Sequence, residues 1–205
     1  MRKLKITEII LIINSIVYVI LSIIGFNFII ISDSVLIWIA QYNYMIIFYF
    51  LYYQFFTALF VHLNLAHILS NGIFLLLFGY RCEDLYSTRD FILIYLVSGL
   101  VGNFLSLFLG VNVISGGSSG SILGIFSATL YAISKKEKKS LKIYIFIGIF
   151  FLLFMGAQYG VNPISHWIGF IVGFFLGRYL FNKSLERKEK DFKKGTRKKK
   201  MLIRN

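Results

Sequence analysis

Gly116-Gly117-Ser118-Ser119-Gly120-Ser121-Ile122-Leu123-Gly124 and, further along, Ser165-His166-Trp167-Ile168-Gly169-Phe170-Ile171-Val172-Gly173 each open an apolar segment. The first sets a hydroxyl directly behind two glycines. The second sets an imidazole at the same place in its own segment. Serine and histidine together make a nucleophile and a base. Ionisable groups are costly inside an apolar span and are functional candidates there by default. The glycines give the two segments a reason to meet. Gly116, Gly120 and Gly124 recur every fourth residue, as do Gly169, Gly173 and Gly177. Such small-residue faces let helices pack backbone to backbone. At ~100° per residue, His166, Gly173 and Gly177 share one stripe. Close packing of Gly117, Gly120 and Gly124 against Gly169 and Gly173 would bring hydroxyl and imidazole within hydrogen-bond reach.

The chain around these stretches is 58% hydrophobic, above the roughly 45–50% of soluble domains. Several runs approach the ~20 apolar residues that cross a bilayer. The expected fold is therefore an all-α membrane protein with six transmembrane helices, at residues 6–31, 67–80, 91–109, 119–134, 143–159 and 164–181. Residues 1–181 form one membrane domain, and 182–205 a basic tail of low apolar content that should be disordered. All 22 Lys and Arg fall in four clusters: residues 2–5, Arg81 with Arg89, 135–142, and 178 onward. Six spans put every cluster on one side, which the positive-inside rule makes cytoplasmic. Both termini are then cytoplasmic, in a multi-pass cell-membrane protein. That placement also argues against nucleic acid as the target of the net charge of +13. The tail should instead be drawn to anionic lipids of the bilayer. Residues 32–66, crowded with Trp38, Tyr42, Tyr44, Tyr49, Tyr52 and Tyr53, suit a long outer loop between the first two spans, lying in the headgroup region. Cys82 is the single cysteine, so no intramolecular disulfide forms, and it suits packing. No metal site or cofactor is expected.

At the start of the fourth span, unpaired backbone N–H groups and the positive helix end would face an oxyanion formed on attack by Ser119. His67 and Asn71 stand at i and i+4, hence on one helix face. Both donate hydrogen bonds without charge, which is what a developing oxyanion needs. Taken singly, each has a plainer role: Ser119 as a packing serine, His166 or Asn71 as polar glue between helices. Three polar sites at one depth favour a shared function. A small transporter is disfavoured, because the polar groups gather at the outer third and no internal symmetry is evident.

In this order, His67-x-x-x-Asn71, Gly117-x-Ser119-Gly120 and His166 with Gly169 and Gly173 resemble the rhomboid family of intramembrane serine proteases. Gly79-x-x-x-Glu83 is similar to another feature of that family. The resemblance covers roughly residues 53–181. It implies a six-helix bundle with a water-accessible cavity on the outer side. It implies Ser119 as nucleophile, His166 as general base, and an oxyanion hole of His67, Asn71 and the Ser119 N–H. Substrates would be transmembrane proteins admitted beside the fifth span, near Phe146, Phe150, Phe151 and Phe154. The chain departs from the family pattern at Leu123, where an aromatic is common, and at Tyr53-Gln54-Phe55-Phe56, which lacks a Trp-Arg pair. The alternative is a catalytically silent relative that binds transmembrane helices. Oligomeric state is not readable from the sequence.

Overall fold

A computed structural model describes residues 4–137, 140, 142, 143, 146, 149 and 162–202. Helix α1 spans Ile6–Ile24. Short pieces follow: α2 (Asp33–Ile39), strand β1 (Gln41–Tyr42), α3 (Asn43–Tyr49) and α4 (Gln54–Thr57). Helices α5 (Leu65–Leu85) and α6 (Thr88–Leu105) come next, and α6 tightens into a 3₁₀ turn at Ser106–Leu109. Strand β2 (Ile114–Ser115) leads to α7 (Ser119–Lys136), and α8 runs over Pro163–Leu202.

Four stretches, Ile6–Ile24, Leu65–Leu85, Thr88–Leu109 and Pro163–Lys194, are long and apolar enough to cross a membrane. Their outward faces are apolar. Ile9, Ile13, Ile16 and Ile20 of α1 are exposed, as are Leu69, Ile73 and Leu77 of α5 and Ile171, Phe175 and Tyr179 of α8. The interior holds Asn14, Gln41, Asn43, Asn71 and Asn103. Water would not tolerate apolar stripes of this extent on a monomer, whereas lipid solvates them. The protein is a multi-pass, predominantly helical membrane protein.

Helix α7 is the centre, packed against α5, α6 and α8 and buried along nearly its whole length. Its composition explains why. Ser121, Ser127, Thr129 and Ser134 are unsuited to lipid but small enough for other helices to close over them. Ser127, Thr129 and Ser134 return their hydroxyl protons to carbonyls of their own helix. Along α8, glycine replaces side chains at the contact. A Cβ on Gly169 would fall on the Gly120 carbonyl, and one on Gly173 on the Gly124 backbone. Gly124 in turn leaves room for Ser98 of α6.

Helix α1 is fastened from the far end of α5. The Glu83 carboxylate accepts from the backbone N–H of Ile6 at 3.2 Å, the N–H of Thr7 at 2.8 Å and the Thr7 hydroxyl at 2.5 Å. The first N–H groups of a helix have no partner of their own, and a carboxylate there also meets the positive helix end. A Cβ on Gly79 would lie 2.6 Å from Thr7 Oγ1, so the glycine lets Thr7 reach Glu83. Gly79-x-x-x-Glu83 thus works as one clamp.

Three differences from the sequence-based expectation concern segment ends. The first helix stops at Ile24 rather than 31, because Gly25 ends it and Phe26 takes a left-handed conformation. The second span starts two residues earlier, at Leu65, because Asn64 caps it. The tail, expected to be disordered, carries helix α8 through Leu202. Lys, Glu and Arg are good helix formers, and the span supplies a nucleus that an isolated peptide lacks. Lys193 and Glu189 add an i, i+4 pair at 2.6 Å. The expected fifth span at 143–159 lies outside the described residues save for isolated positions.

Replacing Gly173 with Val should destabilise the bundle by about 3 kcal/mol or more, at or above the usual cost of overpacking. Ile171→Val, on the lipid face, should change stability little. Reversible unfolding in mixed micelles measures both, and equal midpoints would contradict the close contact of α7 and α8.

Candidate active site

The segments after α1 bring the N-terminal ends of α5, α7 and α8 together. Buried amides hold them. The Gln41 side chain donates to Asn43 Oδ1 and to the Asn103 carbonyl, each at 2.9 Å. Asn43 donates to the carbonyls of Ser106 and Gly110. Asn162, just before α8, donates to the hydroxyls of Ser106 and Ser115 at 2.7 and 3.2 Å. β1 pairs antiparallel with β2, Gln41 opposite Ser115. These bonds fix the approach to Gly116 and Gly117, because β2 ends at Ser115.

The turn into α7 needs glycine twice. A Cβ on Gly116 would lie 2.8 Å from the Val61 carbonyl. Gly117 has φ +112°, its N–H donates to the Ala58 carbonyl at 2.9 Å, and a Cβ there would sit 2.6 Å from His67 Nε2. The turn delivers Ser119 as the first residue of α7, 8% exposed. Ser119 Oγ stands 2.6 Å from His166 Nε2 on α8. The two side chains are brought together by the contacts of Gly120 with Gly169 and of Gly124 with Gly173.

A hydroxyl donating to Nε2 requires the imidazole proton on Nδ1. His166 Nδ1 has no hydrogen-bond partner among the described residues. The ring is held by packing and by its backbone, whose N–H donates to the Asn162 carbonyl. Leu123, at the position where an aromatic was the expected pattern, is buried with Phe126 and Phe170. The apolar wall beside α8 is thus built from α7 and α8 together.

His67 and Asn71 sit on the α5 face that meets Gly117. Asn64 caps α5 by accepting from the His67 N–H at 2.8 Å. The Asn71 amide donates to the His67 carbonyl at 3.0 Å, and its Oδ1 has no partner among the described residues. His67 Nε2 and Asn71 Nδ2 lie 2.6 and 3.6 Å from where a Gly117 Cβ would be. Two uncharged polar side chains thus stand against the Gly117 turn, two residues before Ser119. That arrangement can deprotonate a hydroxyl and hold a negative oxygen.

His62, Asn14 and Ser118 also belong to this region, and the sequence gives none of them a role. His62, in the loop ahead of α5, is fully buried and stands edge-on to the His67 ring at 5.3 Å between centroids. Burial, with His67 alongside, pushes its pKa down to about 3 and keeps it neutral. Asn14 is an amide in the middle of an apolar span, a signal that could have flagged it.

Comparison with known proteins agrees with this architecture. The Rhomboid domain family matches residues 49–183. The chain is 30% identical over 144 residues to Rhomboid-like protease 3 of Toxoplasma gondii, covering 67% of this chain and 54% of that protein. It is 33% identical over 127 residues to RHOMBOID-like protein 6, mitochondrial, of Arabidopsis thaliana, covering 59% and 41%. It is 32% identical over 123 residues to Rhomboid protease GluP of Bacillus subtilis (strain 168), covering 58% and 24%. The match spans about half or less of the length of these relatives. The family match includes Ser119, His166, His67 and Asn71, and on its strength the chain belongs to the rhomboid family.

Proposed function

We propose that the protein is an intramembrane serine endopeptidase that hydrolyses peptide bonds in or near transmembrane segments of other membrane proteins. The observation that carries this is the 2.6 Å contact between Ser119 Oγ and His166 Nε2. His166 takes the hydroxyl proton as Ser119 attacks the scissile carbonyl. His67, Asn71 and the Ser119 N–H stabilise the oxyanion. His166 returns the proton to the leaving amine, and water, activated in the same way, releases the acyl group. The pair acts as a dyad with packing in place of a carboxylate. Gly117, Gly120, Gly124, Gly169 and Gly173 act by holding the dyad at reaction distance.

A helical substrate hides its carbonyls in its own hydrogen bonds. The preferred targets are therefore segments that unwind near the outer face. The proposed frame has six spans, both termini cytoplasmic and the site open to the outer side. Tail residues 182–205 then lie inside, where their positive charge attracts anionic lipid.

A fluorophosphonate probe should label the purified protein, and Ser119→Ala should lose both the label and cleavage of a transmembrane substrate. Full cleavage by Ser119→Ala would end the assignment. Folded wild-type protein that takes no label would favour a relative that binds transmembrane helices without cutting them. His67→Ala and Asn71→Ala should each lower kcat by ~10²–10³, the usual cost of one oxyanion donor, with little change in KM. Orientation is checked with an impermeant thiol reagent on intact cells. Ser34→Cys should react from outside and Lys188→Cys only after lysis. Outside labelling of Lys188→Cys would reverse the proposed topology.

A further inference from the structure

Four long helices follow a residue able to cap them, and one of the four goes uncapped. Asn162 precedes α8 and accepts from the Ser165 N–H at 3.0 Å. Asn64 precedes α5 in an extended conformation (φ −154°, ψ 167°) and accepts from the His67 N–H. Ser87 precedes α6, also extended (φ −68°, ψ 156°), and accepts from the Asp90 N–H. Ser118 precedes α7 with ψ 2° and makes no cap. A serine at that position ordinarily turns extended, and its oxygen accepts from an N–H two or three residues on.

The Ser118 oxygen is engaged elsewhere. The Asn14 amide donates to it at 3.4 Å, and it stands 3.4 Å from His62 Nε2. With one proton on the hydroxyl, the consistent pattern has Oγ accept from Asn14 and donate to His62. All three side chains are almost completely inaccessible. Asn14 comes from α1 and His62 from the loop ahead of α5, so Ser118 is gripped from two directions.

We propose that Asn14 and His62 are positioning residues that keep the Ser118 hydroxyl off the first turn of α7, so that the Ser118–Ser119 peptide stays turned with the Ser119 N–H open to the substrate oxyanion. Released, Ser118 would swing from ψ 2° toward the 156° seen at Ser87. Its oxygen would then occupy an N–H of Gly120 or Ser121. The peptide linking it to Ser119 would rotate, carrying the Ser119 hydroxyl away from His166. Ser118 has no chemical role here; its hydroxyl is a competitor that is restrained. The inference rests on the protease assignment above.

The test is rescue. Asn14→Leu and His62→Leu should each lower kcat at least tenfold, short of the ~10²–10³ for deleting a donor outright, with KM nearly unchanged. Ser118→Ala, which has no oxygen to misplace, should stay within a few-fold of wild type. Asn14→Leu with Ser118→Ala, and His62→Leu with Ser118→Ala, should regain most of the lost kcat. A merely structural role for Asn14 or His62 predicts no such recovery. Double variants as poor as the single ones, or single variants as active as wild type, would overturn the proposal. Should Asn14→Leu fail to fold, the His62 pair decides alone. Wild-type protein that takes no fluorophosphonate label would instead overturn the protease assignment and this proposal with it. A labelled wild type without rescue overturns only the roles of Asn14 and His62.

Discussion

Helices α7 and α8 touch through their backbones, and most of the described structure follows from that contact. With Gly120 and Gly124 facing Gly169 and Gly173, no side chain separates them. In lipid there is little hydrophobic gain in bringing two apolar helices together, so close van der Waals packing has to supply the attraction. The glycines supply it and also fix a distance. Ser119 lies one residue before Gly120, and His166 three before Gly169, so each group rides on the rod whose separation the glycines set.

A central helix made of glycine and small hydroxyl residues needs companions on every side. α5, α6 and α8 provide them and present their own apolar faces outward. The loop elements close the end of the bundle that holds Ser119 through amide side chains rather than apolar packing, as Gln41, Asn43 and Asn162 show. Each of these satisfies carbonyls or hydroxyls near the ends of α6 and β2 that lipid could not satisfy. The outcome is a rigid polar seat at the mouth of an apolar bundle.

Much of this was legible in the sequence, for physical reasons that differ by residue. The four-residue glycine spacing encodes a helix face directly, so the approach of Ser119 to His166 could be anticipated. His67 and Asn71 follow from the same periodicity. The clamp at Glu83 was visible only as a pattern, because its partners, two backbone N–H groups and the Thr7 hydroxyl, lie 76 and 77 residues away. Ser118 was hidden for a related reason. A serine before a helix reads as a cap, and only the three-dimensional position of Asn14 shows why it is not one. The loop was read from its aromatic residues, yet Gln41 and Asn43 hold it in place, and amides carry no periodic signal. The tail was read from charge, while its helix comes from continuity with a preformed span.

The polar interior also bears on how the chain is made. Asn14 enters the membrane 104 residues before Ser118, its partner, exists. Helix α1 is apolar enough to tolerate one solitary amide at that stage. Helix α7, with its run of hydroxyls, is long enough but less apolar than the four spanning stretches. By length and hydropathy α1, α5 and α6 can each cross alone, whereas α7 depends on the neighbours that bury it. The serine–histidine pair needs α8, which follows α7 in the chain and brings His166 to Ser119.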